Sequence, residues 1–250
     1  MTSPVLFFFI SLIVLWISER IGAAIRKWRP PADDTRKDFD VILTAALTLL
    51  GLMIGFTFSM AVTRFDQRKN FEEAEANAIG TEYLRADLLA PADANHVHQL
   101  LRSYLDQRIV FYRATDERLL EQNIADTAQL QTALWSAVQT PAMTNPTPVA
   151  ALAASGMNDV LNSQGYTQFA WDDHIPVPAW MLLLAIGIGC DLLIGYTSRR
   201  PTQERLLSLI LPLFVSVSFL LIADIESPRA GLIRVEPQNL IILSQSLGRQ

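Results

Sequence analysis

Val41-Ile42-Leu43-Thr44-Ala45-Ala46-Leu47-Thr48-Leu49-Leu50-Gly51-Leu52-Met53-Ile54-Gly55-Phe56-Thr57-Phe58-Ser59-Met60-Ala61-Val62-Thr63 is an uninterrupted run of 23 residues without a charge. At about 1.5 Å per residue, a helix of that length crosses a hydrocarbon core of roughly 30 Å. Arg64-Phe65-Asp66-Gln67-Arg68-Lys69 marks the exit, and Glu72 to Arg85 continues at helical spacing with no proline. Gly80 is the only weak helix former there, at a cost of about 1 kcal/mol against alanine. The pattern predicts one rod that starts in lipid and ends in water. Such a rod lines a pore or transmits motion; it is not laid out as a catalytic cleft.

Working outward, half of the 250 residues are hydrophobic, 18% are charged and the net charge is −5. This balance is too apolar for an ordinary soluble domain and, lacking a basic stripe away from membrane edges, excludes a nucleic-acid binder. Pro4–Ser18, extending to Ile25 if Glu19 and Arg20 sit at the interface, is a second candidate span. Ile175–Thr197, with Trp180 and Tyr196 near its ends, is a third. Leu206–Ala223 is a fourth, with a kink expected at Pro212. The first segment has no basic n-region and no small-x-small cleavage site, so it reads as an uncleaved span. The expected architecture is all-α: a hairpin over 1–63 (spans about 4–25 and 41–63), a helical extramembrane region over 64–174, a second hairpin over 175–225 (spans about 175–197 and 206–223) and a tail over 226–250.

Arg20, Arg26, Lys27, Arg29, Arg36, Lys37, Arg199, Arg200 and Arg205 lie in the two loops that share a side. Arg64, Arg68, Lys69, Arg85, Arg229, Arg234 and Arg249 lie on the other. By the positive-inside rule this places both termini and residues 64–174 outside. In that region one helix is expected to reach about Leu89 and stop at Ala90-Pro91. A second begins near Asp93 as N-cap and carries apolar residues at Leu101, Tyr104, Leu105, Ile109 and Tyr112. Thr140–Pro148, with three prolines, reads as a loop, and a third helix as Val149 to Asn162.

No chemistry-bearing motif competes with this reading. His96-x-His98 cannot share a ligand sphere on a helix, because residues two apart point to different faces. No triad order, P-loop or H-E-x-x-H is present, so an enzyme, a cofactor and a metal centre are not expected. Cys190 is the only cysteine and lies in an apolar run. Asp191 sits inside the third span, where a carboxylate costs about 2.5–3.5 kcal/mol at a helix centre; it either snorkels to the interface or faces a partner, cavity or pore. Glu19 and Asp224, at span ends, read as interfacial charges. Thr44, Thr48, Leu52, Phe56, Ser59 and Thr63 trace one face of span two, as suits a pore wall or tight helix packing, and Gly51-x-x-x-Gly55 on the adjacent face is a close-packing signature. Arg64, Arg68, Glu72, Glu75 and Glu82 form a charged stripe of the kind usually found on a solvated or ion-paired helix face.

Four stretches carry a family resemblance. Gly55-Phe56-Thr57-Phe58-Ser59-Met60-Ala61-Val62-Thr63-Arg64-Phe65-Asp66-Gln67-Arg68 is followed by Glu75-Ala76-Asn77-Ala78-Ile79-Gly80-Thr81 and Leu84-Arg85. Asp224-Ile225-Glu226-Ser227-Pro228-Arg229-Ala230-Gly231-Leu232-Ile233-Arg234-Val235 follows span four. With Glu19-x-x-Gly22 and Asn158, they resemble the bestrophin-like family of bacterial and plant membrane proteins, and more distantly the bestrophins, which are pentameric anion channels. The resemblance implies a homo-oligomer, pentameric if bestrophin-like, in the bacterial inner membrane. It also implies family-motif structural roles for Glu75, Asn77, Gly80, Arg85, Asp224, Pro228 and Gly231. In bestrophins the second helix lines the pore with three apolar neck residues at four-residue steps; by position Phe56 matches an aromatic neck residue, Leu52 is apolar but not aromatic, and Thr48 departs. Bestrophins hold the long connecting region in the cytoplasm, opposite to the basic-residue count, and both orientations stay open.

The expected function is an oligomeric ion channel or pore, anion-selective by its relatives. Thr48, Leu52, Phe56 and Ser59 would line it, Arg64 and Arg68 would stand at the mouth, and lipid and inorganic ions would be its partners. Two alternatives stand beside it: a non-conducting scaffold or sensor whose helical layer binds a partner, and a transporter using Asp191.

Overall fold

The computed structural model of the chain describes residues 3–198 and 209–248. These form eight α-helices: α1 (Pro4–Trp28), α2 (Asp33–Ala86), α3 (Pro91–Arg113), α4 (Glu117–Thr144), α5 (Pro148–Asp172), α6 (Val177–Thr197), α7 (Ile210–Ile225) and α8 (Gln238–Leu247). No strand occurs among the described residues. The rod read from the sequence is α2, whose 54 residues run without interruption. Pro4–Trp28, Arg36–Ala86 and Pro148–Thr197 are stretches long and apolar enough to cross a membrane, and Ile210–Ile225 is a shorter apolar helix. Leu206, Leu207 and Ser208 of the fourth expected span, and the loop arginines Arg199, Arg200 and Arg205, lie outside the described residues, as does Arg249.

Helix ends follow local chemistry. Proline opens α1, α3 and α5 in the first turn, where a missing N–H costs nothing. Thr147 caps α5 by accepting from the Ala150 N–H at 3.1 Å, and Ser3 caps α1 by accepting from the Leu6 N–H at 3.2 Å. Three sequence expectations shift. The second extramembrane helix starts at Pro91 behind Ala90, not at an Asp93 cap, because proline at its first position already fixes a helical φ. Thr140–Pro148 is mostly helix: α4 runs through Pro141 to Thr144. Pro141 is carried inside the last turn of the helix, where its missing N–H leaves the bond to Ala137 unmade. The third helix does not stop at Asn162 but continues to Asp172, because Val160, Thr167, Ala170 and Trp171 keep its apolar face buried.

The chain divides into two compact units that share α2. The first contains residues 1–63 and 174–233. Its core is Leu15, Leu50, Leu183, Cys190, Val215 and Phe219, and Phe7, Trp180 and Phe219 meet ring to ring, with Phe7 and Trp180 edge-on at 5.1 Å. Helices α1 and α6 cross in near backbone contact. A Cβ on Gly22 would overlap the Leu192 carbonyl oxygen, and one on Gly195 the Glu19 carbonyl oxygen. The second unit contains residues 64–173 and 234–250, so the expected tail 226–250 divides between the two. Its core joins Ile79, Tyr83, Leu101, Tyr104, Phe111 and Leu134 with Met157, Trp171 and Leu240. Within this unit α3 packs on α4, α4 on α5, and α3 on α8.

Candidate functional site

Helix α2 has two sides of opposite character. In the first unit Leu50, Thr57 and Ala61 are buried, whereas Leu52 is 53% and Phe56 59% exposed. Thr48, Ser59 and Thr63 share the exposed side. The hydroxyls of Thr48 and Thr63 donate back to the Thr44 and Ser59 carbonyls at 2.8 and 2.9 Å. At Thr48 and Thr63 the stripe therefore presents methyls and oxygen lone pairs rather than unspent donors. A Cβ on Gly51 or Gly55 would meet nothing within 4 Å, so this G-x-x-x-G is not a contact within the chain.

In the second unit the buried side of α2 is charged. Arg68, Glu72, Glu75 and Glu82 are each at most 1% exposed, in phase with Ile79 and Ala86. Of the two readings of this stripe, solvated or ion-paired, burial excludes the first, and Arg64–Asp173 and Glu75–Arg108 are ion pairs. Arg68 donates from Nε to the Ala170 carbonyl at 2.9 Å and from Nη2 to the Asp173 carbonyl at 3.1 Å, holding the C-terminus of α5. Those carbonyls have no partner inside the helix, and a cation there opposes the helix dipole. Arg68 therefore does not face a pore mouth in this chain, contrary to the expectation from sequence. Arg64, the other mouth candidate, donates from Nε to Asp173 Oδ2 at 3.0 Å. Glu72 does the converse at α8: it accepts from the Leu240 N–H at 3.0 Å and the Asn239 amide at 2.7 Å.

Glu75 is the hub. Its carboxylate accepts from the Arg108 guanidinium, from Tyr112 Oη at 3.3 Å and from Thr167 Oγ1 at 3.2 Å. Three helices thereby converge on one buried anion. Burial, and then the Glu75 charge, push the Tyr112 hydroxyl well above its ordinary range. Burial works against the Arg108 charge, but Glu75, together with Tyr104 and Tyr112, outweighs it, so that its pKa is raised. A Cβ on Gly80 would meet Leu243 of α8 at 3.1 Å. Arg85 lies 3.7 Å from Asp159, and Asn77 is exposed.

In the first unit Asp224 accepts from the Leu232 and Ile233 N–H groups at 2.7 and 2.9 Å. Gly231 sits where a Cβ would overlap the Asp224 carbonyl, and Pro228 begins the turn between them. Asp224 is thus a clasp rather than an interfacial charge. Glu226, within the same motif, accepts from the Ile175 N–H at 2.8 Å and ties the end of α7 to the start of α6. Glu19 is buried, not interfacial. Asp191 is 1% exposed and neither carboxylate oxygen has a hydrogen-bond partner, which excludes the snorkelling alternative. His98 stacks on Tyr83 with ring centroids 3.9 Å apart, and its Nε2 meets the Tyr83 carbonyl at 2.8 Å. Among the described residues no cluster of three metal-ligating side chains occurs.

The comparisons agree with this architecture. The chain superposes on a tryptophan-to-alanine variant of a bacterial bestrophin homologue from Klebsiella pneumoniae with a TM-score of 0.67 at 13% identity, covering 100% of this chain and 97% of that one. A structure of a homologue from the same organism solved by zinc phasing gives 0.63 at 14% identity, covering 96% of each chain. No curated protein matches. At these identities the likeness establishes the fold of a helical membrane protein. A model of the Bestrophin-like domain matches residues 5–240, nearly the full length, and the chain belongs to the Bestrophin-like domain family.

Proposed function

We propose that this chain is one subunit of an oligomeric ion-conducting pore, pentameric if it follows the bestrophins, with the exposed side of α2 lining the conduit. The observation that carries the reading is the bareness of that side. Only 11% of the apolar window of α2 is buried within the chain, and Thr48, Leu52, Phe56 and Ser59 stand together on the uncovered face. Four spans of one subunit leave little room for a water-filled path, so several copies would surround it. Phe56 and Leu52 would form the constriction, a hydrophobic ring that ions cross only after shedding water.

The anion bias expected from Arg64 and Arg68 loses its support, since one is paired with Asp173 and the other holds α5. The exposed side of α2 in the second unit carries Asn70, Asn77 and Thr81, flanked by Asp66 and Glu73. That composition favours small cations at this end. Reconstitution of the purified protein in planar bilayers tests the proposal. Ion flux that rises in Phe56→Ala supports it, and no flux from oligomers shown to be intact overturns it.

The scaffold or sensor reading keeps one observation in its favour. A groove of about 450 Å³ lies between α2 and α8, lined by Asn77, Thr81, Leu84 and Ile242. It predicts a co-purifying partner that is lost in Leu84→Arg while any flux is unchanged.

A further inference from the structure

One buried side chain in the second unit has no part in the anchors described above. Glu82 lies on the buried side of α2 at 0% exposure, and neither of its carboxylate oxygens has a hydrogen-bond partner. Every other buried acid on this stretch of α2 is spent: Glu72 on the N-terminus of α8, Glu75 on Arg108, Tyr112 and Thr167. An ionised carboxylate without donors or a close cation is among the costliest groups to bury, and such a group ordinarily takes up a proton instead.

The surroundings fix why it stays unpaired. Helix α5 presses its backbone against this point at Gly156, where a Cβ would overlap both Glu82 Oε2 and Arg85 Nη1. The one cation that bears on Glu82 is Arg85, a turn along the same helix. Arg85 turns to Asp159 of α5, with Nη1 3.7 Å from Oδ2. Arg85 and Asp159 are the charged groups whose fields reach the carboxyl, the first opposing protonation and the second favouring it. Glu75, further back on α2, is already neutralised by Arg108.

We propose that Glu82 is a proton-binding site that latches α5 onto α2: with the proton bound, α5 packs flush at Gly156 and Arg85 serves Asp159. When the proton leaves, the bare carboxylate draws Arg85 away from Asp159 and the flush contact opens. The only ligand is the proton, taken from and returned to water. Burial supports this independently, lifting the Glu82 carboxyl from 4.5 to about 8, with Arg85 pulling it partly back. A group whose pKa is raised in the folded state contributes most below its unfolded pKa, and the contribution is lost as pH rises through the folded value. The latch therefore weakens across roughly pH 4.5 to 8 and is fully released above that. The inference concerns the second unit alone and does not depend on whether the protein conducts.

Full-length protein in detergent decides it by two measurements. The first is thermal unfolding followed by circular dichroism from pH 5 to pH 9, on wild type, Glu82→Gln and Asp159→Asn. The wild-type midpoint temperature should fall up to about pH 8, whereas Glu82→Gln, a permanent stand-in for the protonated acid, should lose most of that fall and exceed wild type at pH 8. Asp159→Asn, a change on the surface, should move the fall to lower pH by removing the group that favours the proton. The second is the infrared band of a protonated carboxyl at pH 7, which should be stronger in wild type than in Glu82→Gln. An unchanged pH profile and infrared band in Glu82→Gln overturn the proposal. Should that variant not fold, an unchanged profile in Asp159→Asn overturns it.

Discussion

Replacing Glu75 by alanine strips the counter-charge from Arg108, and the cost can be worked from the site. Arg108 is 1% exposed. Removing one partner of a buried pair costs about 3–5 kcal/mol, because the remaining charge is left uncompensated. The Tyr112 and Thr167 hydroxyls lose their acceptor as well, at about 1 kcal/mol or more apiece if nothing replaces it. The sum is on the order of 5 kcal/mol, against a total of about 5–15 kcal/mol for a typical domain. The second unit should therefore be unfolded or marginal in Glu75→Ala. The double variant Glu75→Gln with Arg108→Met, which removes both charges and keeps the volume, should recover most of the loss. Urea titration in mild detergent, followed by far-ultraviolet circular dichroism, reads both. The single variants Glu75→Gln and Arg108→Met, with that double, close a cycle whose coupling should be several kcal/mol. A Glu75→Ala protein that unfolds within about 1 kcal/mol of wild type would refute the reasoning, since it would mean that Arg108 finds water or another acceptor without effort.

Three further outcomes follow from the packing. Gly195→Ala drives a methyl into the Glu19 carbonyl and should separate α1 from α6, costing about 1–3 kcal/mol, read as a lower unfolding midpoint in detergent. A Cβ at Gly51 meets nothing within 4 Å, so in Gly51→Leu monomer folding should survive while oligomers are lost on size exclusion with light scattering; an unaltered oligomer would remove this face from the interface. Asp66→Lys combined with Glu73→Lys should shift the reversal potential in a salt gradient towards anions, and an unmoved potential would show that these side chains do not see the permeating ion.

The rod and its spans were legible because both are written in local order: an uncharged run of membrane length, then helical spacing without a breaker. The exposed stripe from Thr48 to Ser59 was legible for the same reason. The buried charges were not. Arg68, Glu72, Glu75 and Glu82 repeat at helical spacing, as a solvated stripe does, and the type of residue alone does not say which side faces water. Their phase says it, since Leu50, Ala61 and Ile79 share the angular position, but only a continuous helix licenses counting across so many turns. The Glu75 partners stand 33, 37 and 92 residues away along the chain, beyond any spacing argument. The three-proline segment misled for a different reason. Proline counts as a breaker in a helix interior, yet α4 carries Pro141 in its last turn and ends only at Thr144. The clasp at Asp224 was visible only as a motif, because its donors are main-chain N–H groups, which every residue but proline carries.

Arg68 and Glu72 lie four residues apart and grip opposite kinds of helix end, a C-terminus and an N-terminus. Turning α2 by one residue's worth of rotation, about 100°, would withdraw both grips together, like a key whose two wards must clear at the same angle. Small torsions of α2 are resisted from two directions, while rotamer changes on its exposed side leave both grips engaged. If this helix carries a gate, the rod is pinned against spinning, and the moving parts are the side chains it displays.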